Sequence, residues 1–151
     1  ANADFEKYFD CFAEESQYIG TDATEVWQKQ EFKDWAKPFF DKKTTWNFKS
    51  LKRNIYFSKD GNYAWFDEVL DTQIKICRGS GVLQKIGGKW KIKQYVLSAT
   101  IPNEVIDVVT KIKTPIEDAL IQKLNPNSAI EKKEYFSILI SNCVAVEKNK
   151  R

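Results

Sequence analysis

The chain has 151 residues, 42% of them hydrophobic and 30% charged, with a formal net charge of +3. That is one domain's length of globular composition, and the charge is too small to imply a nucleic-acid partner. It contains no His, which excludes a Ser-His-Asp triad, a Cys-His pair and a His-ligated zinc, so acid-base chemistry would fall to Asp, Glu, Tyr, Lys or Cys.

Five Trp, ten Phe and six Tyr are many for this size. Aromatics fill cores, and they also line ligand cavities. Cys11, Cys77 and Cys143 are odd in number and widely spaced, so they read as small buried thiols and not as a disulfide framework or a metal site. Met is absent even at position 1, which predicts that the natural start lies upstream or was removed. No apolar run reaches membrane-spanning length. Residues 1 to 31 carry eight acids against two lysines, while the remainder is basic.

Residues 3 to 15 read as a helix, because Phe5, Tyr8, Phe9 and Phe12 recur at intervals of three and four. A short extended piece follows at Tyr18-Ile19-Gly20-Thr21. Residues 28 to 43 make a second amphipathic helix with Phe32, Trp35, Ala36, Phe39 and Phe40 on one stripe. Pro38 predicts a kink or a break in it.

Strands are expected at about 45–57, 62–75, 77–86 and 89–101. Asp60-Gly61-Asn62 and Gly87-Gly88 punctuate them as hairpin turns. In the second strand Trp65, Asp67 and Val69 share one face, and Ala64, Phe66, Glu68 and Leu70 the other. In the last, alternation puts Trp90, Ile92, Gln94, Val96 and Ser98 together. Lys91 and Lys93 would form a solvated outer row. The glycines of Arg78-Gly79-Ser80-Gly81 predict a bulge, a bend or a close backbone approach.

A helix is expected from about 104 to 113, and Thr114-Pro115-Ile116-Glu117 reads as the start of another. Tyr135 to Ile140 fits a strand or a helical turn equally. Residues 1–125 would then be one domain and 126–151 a C-terminal extension.

Several of these stretches carry a resemblance. They are Tyr18-Ile19-Gly20-Thr21-Asp22-Ala23, Lys37-Pro38-Phe39-Phe40, Ala64-Trp65-Phe66-Asp67-Glu68, Cys77-Arg78-Gly79-Ser80-Gly81 and Gly88-Lys89-Trp90-Lys91-Ile92 through Ser98. Over about residues 5 to 113 the chain resembles the nuclear transport factor 2-like superfamily. It is closest to the SnoaL-like branch, which also contains ketosteroid isomerases and polyketide cyclases. The resemblance implies an α+β fold: a cone-shaped, strongly curved antiparallel sheet packed on N-terminal helices, with C-terminal helices. It further implies a cavity between sheet and helices, and a homodimer through the sheet's outer face. Bacterial relatives of this sort often begin with an export signal, which points to an exported protein, with a cytoplasmic one as the alternative. Many SnoaL-like members carry His where this chain has Gln94 and Val96, so a His-assisted reaction is in doubt.

The candidate site follows from the strand pattern. Asp67 and Glu68 are adjacent on a strand and point to opposite faces, so one of them should face the cavity. A carboxylate walled by Trp65, Phe39 and Phe40 would be desolvated and suited to proton transfer. Arg78 is the expected counter-charge, or the holder of a ligand carboxylate. Trp46, Ser80, Gln94 and Tyr95 complete the expected ligand-binding set. No metal ligands and no cofactor motif are present; the glycines of residues 78–81 are not followed by a phosphate-loop Lys. Three functions fit: a binder of a small, mostly apolar molecule, an isomerase, dehydratase or cyclase using Asp67 or Glu68 as base, or a dimeric interaction module with a filled cavity. A fully paired cavity carboxylate would favour the binder. No membrane or nucleic-acid partner is expected.

Overall fold

The structure is a computed structural model that describes residues 4–124. The expectations for residues 125–151, Cys143 and Tyr135 to Ile140 among them, lie outside the described residues. The chain divides into two compact units, Ala1–Thr100 and Ile101–Arg151.

The first unit is an α+β fold built on one curved, unclosed six-stranded sheet. Helix α1 (Phe5–Asp10) leads into β1 (Phe12–Ile19), then β2 (Val26–Gln28) and helix α2 (Lys29–Asp41). Strands β3 (Lys49–Phe57), β4 (Tyr63–Thr72), β5 (Lys75–Ile86) and β6 (Lys89–Ala99) follow as an antiparallel meander. The sheet order is β2-β1-β6-β5-β4-β3. Strand β1 lies parallel to β6, so the sheet is mixed where a purely antiparallel one was expected.

The four meander strands fall close to their expected positions because their turns are explicit. Gly87 and Gly88 both take positive φ, 56° and 78°, as a two-residue turn between right-twisting strands demands. The N-terminal helix is much shorter than its aromatic spacing suggests. Asp4 caps it by accepting the Lys7 N–H at 3.0 Å, and it stops at Asp10. Beyond it β6 offers a ladder, and Ile92 N–H donates to the Cys11 carbonyl at 2.8 Å. Tertiary pairing therefore overrides a local helical pattern.

Helix α2 begins where Glu31 accepts the Gln28 N–H at 2.8 Å. Of the kink or break expected at Pro38, the break does not occur: the helix runs through it to Asp41. The proline lies in the last turn, and its carbonyl still accepts Lys42 N–H at 3.2 Å. Phe32, Ala36 and Phe40 recur every four residues and are buried against Phe9 and Phe12. Phe39 and Trp35 sit beside that stripe and are substantially exposed. A second cluster, Leu70, Cys77 and Leu97, holds β4, β5 and β6 together under Phe48 and Tyr95. Of the cysteines, Cys77 is buried as expected, whereas Cys11 is exposed.

The acidic N-terminal stretch is met by its own Lys29 and by Lys91 and Lys93 of β6. Asp10 pairs with Lys91 at 2.8 Å, Glu14 with Lys29 at 2.7 Å and Glu15 with Lys93 at 3.7 Å. Part of the uneven charge of the sequence is thus offset locally, by surface pairs of small individual value.

Ser16, on β1, is completely buried, and its hydroxyl has no hydrogen-bond partner among the described residues. An unpaired buried hydroxyl costs free energy that a methyl does not. Ser16→Ala is therefore expected to raise stability by about 1 kcal/mol. A urea-unfolding midpoint lower than wild type would contradict this.

In the second unit a 3-10 turn, Asn103–Val105, precedes helix α3, Ile106–Leu124. One helix replaces the two expected, because the capping box at Thr114 does not form. The Thr114 hydroxyl donates instead to the Thr110 carbonyl at 2.7 Å, and Glu117 pairs with Lys113 at 2.8 Å. No helix among the described residues is long and apolar enough to cross a membrane.

Candidate functional site

The concave face of the sheet is defined by register. Cross-strand partners share a face, so Arg53, Glu68, Gly79 and Leu97 form one row across β3 to β6. Phe66, Gly81, Tyr95 and Tyr18 form the next. Two bulges break the alternation. Leu51 is the extra residue on β3, which lets Ser50 and Arg53 face the same side. Lys93 is the extra residue on β6, which turns Ile92 to the side of Tyr95 and away from Gln94. Strand periodicity cannot foresee this, since an inserted residue flips every side chain beyond it.

A hollow of about 290 Å³ opens on this face. Its walls include Phe12, Tyr18, Phe48, Leu70 and Ile92, and its polar side chains include Arg53, Glu68, Tyr95 and Ser50. An adjoining hollow of about 260 Å³ shares Arg53, Glu68, Ile92 and Tyr95.

Glu68 is the anchor of the polar cluster and is only 4% exposed. Its Oε2 accepts Arg53 Nε at 2.8 Å and Arg53 Nη2 at 2.5 Å. Its Oε1 accepts the Tyr95 hydroxyl at 2.9 Å. Both carboxylate oxygens are thus engaged, by one cation and one neutral donor. Arg53 uses two of its five N–H donors on Glu68 and is 49% exposed, leaving three donors at the wall of both hollows.

The two glycines of the Arg78-Gly79-Ser80-Gly81 stretch make this cluster possible by close approach. A Cβ on Gly79 would lie 2.5 Å from the Tyr95 hydroxyl and 2.8 Å from Glu68 Oε1. A Cβ on Gly81 would lie 2.7 Å from the Gln94 carbonyl oxygen and from the Phe66 ring. Without side chains there, the Glu68–Tyr95 bond and the Phe66 ring can lie flat over β5.

Burial, and then the neighbouring Glu68 charge, push the Tyr95 hydroxyl far above its ordinary pKa of 10.0. Tyr18 is raised in the same way, chiefly by burial. With the folded pKa above the unfolded one, both contributions are intact below pH 10 and decline as pH rises beyond it. There the unfolded chain has released protons that the folded chain still holds. Stability is expected to fall more steeply above pH 10 in wild type than in Tyr95→Phe. Equal slopes in alkaline urea titrations of the two proteins would refute this.

Of the residues singled out from sequence, Glu68 and Tyr95 come together in the hollow. Asp67, Ser80 and Arg78 lie on the opposite, convex side by register. Asp67 accepts the Asn54 amide at 2.9 Å. Arg78 is exposed and forms no ion pair with either acid among the described residues; Arg53 supplies the counter-charge instead. Trp65 stacks on Tyr56 with centroids 6.0 Å apart and is 47% exposed, so it walls neither hollow. Gln94 is turned away by the Lys93 bulge. Phe40 belongs to the core, while Phe39 packs on Trp35 and Trp46.

Arg53, Tyr18, Phe48 and Ser50 went unnoticed as site residues. A signal for Arg53 existed. The Asp60-Gly61 turn pairs Phe57 with Ala64, and counting back along both strands sets Arg53 opposite Glu68.

A second hollow of about 190 Å³ adjoins the first across Tyr18 and Phe48. Trp27, Trp35 and Trp46 line it, and among the described residues Glu25 is its one charged residue. Of the residues expected to bind ligand, Trp46 lies here.

The sequence profile of the SnoaL-like domain family matches residues 1–102. No curated protein matches the chain. Among solved structures, a nuclear transport factor 2-like protein of unknown function from Pseudomonas putida is 14% identical with a TM-score of 0.55. The alignment covers 68% of this chain and 77% of that one. A candidate ketosteroid isomerase from Parabacteroides distasonis is 15% identical with a TM-score of 0.53, covering 66% and 78%. A candidate calcium/calmodulin-dependent kinase II association domain from Exiguobacterium sibiricum is 13% identical with a TM-score of 0.53, covering 67% and 81%. At such identities the likeness is one of fold, and this fold hosts unrelated functions.

Proposed function

Because the chain belongs to the SnoaL-like domain family, whose fold supports ligand binding or isomerase-type chemistry in general, we propose that it binds a small, mostly apolar molecule in the concave hollow. The observation that carries this is that both oxygens of the buried acid are already engaged. Glu68 has one oxygen on Arg53 and the other on Tyr95. A general base needs a free lone pair aimed at its substrate. Here Oε2 accepts two N–H donors and Oε1 one O–H, so three of about four lone-pair positions are taken and little of the acid is left to aim at a substrate. The Arg53–Glu68 pair is also neutral as a unit, so it adds orientation without selecting a charged ligand. The spare Arg53 donors would hold an acceptor group of the ligand, and the aromatic and aliphatic walls its apolar body.

Titration of the full chain with an uncharged, environment-sensitive naphthyl ketone tests this. Saturable binding with a blue-shifted emission is expected. Ser50→Phe should abolish it, because Ser50 is an exposed rim position from which a ring would fill the space. Binding that survives this change places the probe elsewhere. The enzyme reading retains Glu68 as its one acid at the hollow, and it would be favoured by a substrate whose turnover is lost in Glu68→Gln while binding persists.

A further inference from the structure

The 190 Å³ hollow differs in character from the one beside it. Where Arg53 and Glu68 cancel, Glu25 stands alone. It is the single charged side chain lining the space, and no Lys or Arg pairs with it among the described residues. Its carboxylate is positioned by the backbone. Oε2 accepts the Asp22 N–H at 3.2 Å, and Gly20 N–H donates to the Glu25 carbonyl at 2.8 Å. Gly20 admits the side chain by having none of its own: a Cβ there would lie 2.1 Å from Glu25 Oε2. The same carboxylate contributes, after burial, to raising the Tyr18 hydroxyl.

The walls opposite are electron-rich rings. Trp27 and Trp35 stack at 4.8 Å between centroids, and Trp35 and Trp46 at 5.4 Å with an interplanar angle of 11°. These separations describe offset stacking, which leaves part of each indole face uncovered. Trp35 remains 39% exposed although Trp27, Phe32 and Trp46 all stack on it. Aromatic faces together with one unpaired carboxylate attract a cation that is weakly hydrated and can shed its water at low cost. Thr21 and Gln73 at the rim are neutral and add no competing charge.

We propose that this Trp-walled hollow is a binding site for a small organic cation of the alkylammonium class, with Glu25 as counter-ion and Trp27, Trp35 and Trp46 as the aromatic wall. It goes beyond the binding of an apolar molecule in the neighbouring hollow and uses neither Arg53, Glu68, Tyr95 nor Ser50 of that site. A ligand spanning both would place its ammonium end against Glu25 and its apolar body past Tyr18 and Phe48.

Choline and its neutral carbon isostere, 3,3-dimethylbutan-1-ol, test the proposal on the full chain. Binding is read from the indole N–H signals by nuclear magnetic resonance. Choline is expected to shift the signals of the three wall tryptophans saturably, and the isostere to bind about tenfold or more weakly. Glu25→Gln keeps an acceptor for the Asp22 N–H, and so keeps the turn, while removing the charge. It should weaken choline binding by a similar factor and leave the isostere unaffected. Equal binding of both compounds would overturn the proposal, since the hollow would then be merely apolar. No saturable choline binding, or choline binding unchanged in Glu25→Gln, would overturn it as well. If Glu25→Gln fails to fold, Trp35→Leu at its half-exposed position carries the test, with loss of choline binding expected and retention counting against the site. The Ser50→Phe change should not alter choline binding, so the two hollows can fail separately.

Discussion

Arg53→Met is expected to destabilise the fold by about 2–3 kcal/mol. Removing the cation leaves a carboxylate that is 4% exposed with a single neutral donor, Tyr95. Breaking a fully buried ion pair from one side costs roughly 3–5 kcal/mol. The figure here is lower because the Arg53 side chain is 49% exposed and water can approach the pair. Glu68→Gln should cost only about 1 kcal/mol, since Arg53 can be solvated where it stands and the amide oxygen can still accept from Tyr95. The double variant should be more stable than Arg53→Met alone, because the stranded charge is gone. Urea unfolding of the three proteins measures all of this. If Arg53→Met lies within about 0.5 kcal/mol of wild type, the range of ordinary surface changes, then the Arg53–Glu68 pair contributes nothing to holding this face together.

Gly81→Ala should be as damaging, for a steric reason. The new Cβ would stand 2.7 Å from the Gln94 carbonyl oxygen. That oxygen belongs to the β6 backbone, next to the Lys93 bulge, and cannot retreat without opening the β5–β6 ladder. Overpacking typically costs 1–3 kcal/mol, and rigid backbone on one side with the Phe66 ring on the other puts this case near about 3 kcal/mol. For a chain of this size that is a fall in Tm of roughly 10 °C. Gly79→Ala meets only the ends of two side chains, Tyr95 and Glu68. It should cost less, about 1–2 kcal/mol, and it should separate the Tyr95 hydroxyl from Glu68. Alkaline titration of tyrosinate absorbance would then show Tyr95 ionising earlier than in wild type. If Gly81→Ala melts like wild type, the close passage of β6 over β5 is not as tight as described.

These two predictions rest on positions with very different visibility in the sequence. The glycines of residues 78–81 announce a close approach, although not which groups approach. The meander itself is legible because its turns are chemical: Asp60-Gly61-Asn62 and Gly87-Gly88 can do little else. The division of Asp67 from Glu68 between two faces also follows from a period of two. Which of the two faces inward does not, since both faces hold apolar neighbours.

What local pattern determined was the meander, the buried stripe of α2 and the family to which residues 1–102 belong. What only tertiary structure decided was every feature that depends on a partner distant in sequence. Strand β1 exists because β6 offers it a ladder, and helix α1 stops short for the same reason. Arg53, not Arg78, neutralises Glu68 because register places it directly opposite. Ile92 and Tyr95 face one hollow, and Gln94 does not, because a single inserted residue at Lys93 reverses the alternation. Periodicity is a property of a segment. Register and bulges are properties of pairs of segments, set by which pairing buries more surface and satisfies more backbone, and no stretch of chain carries that information alone.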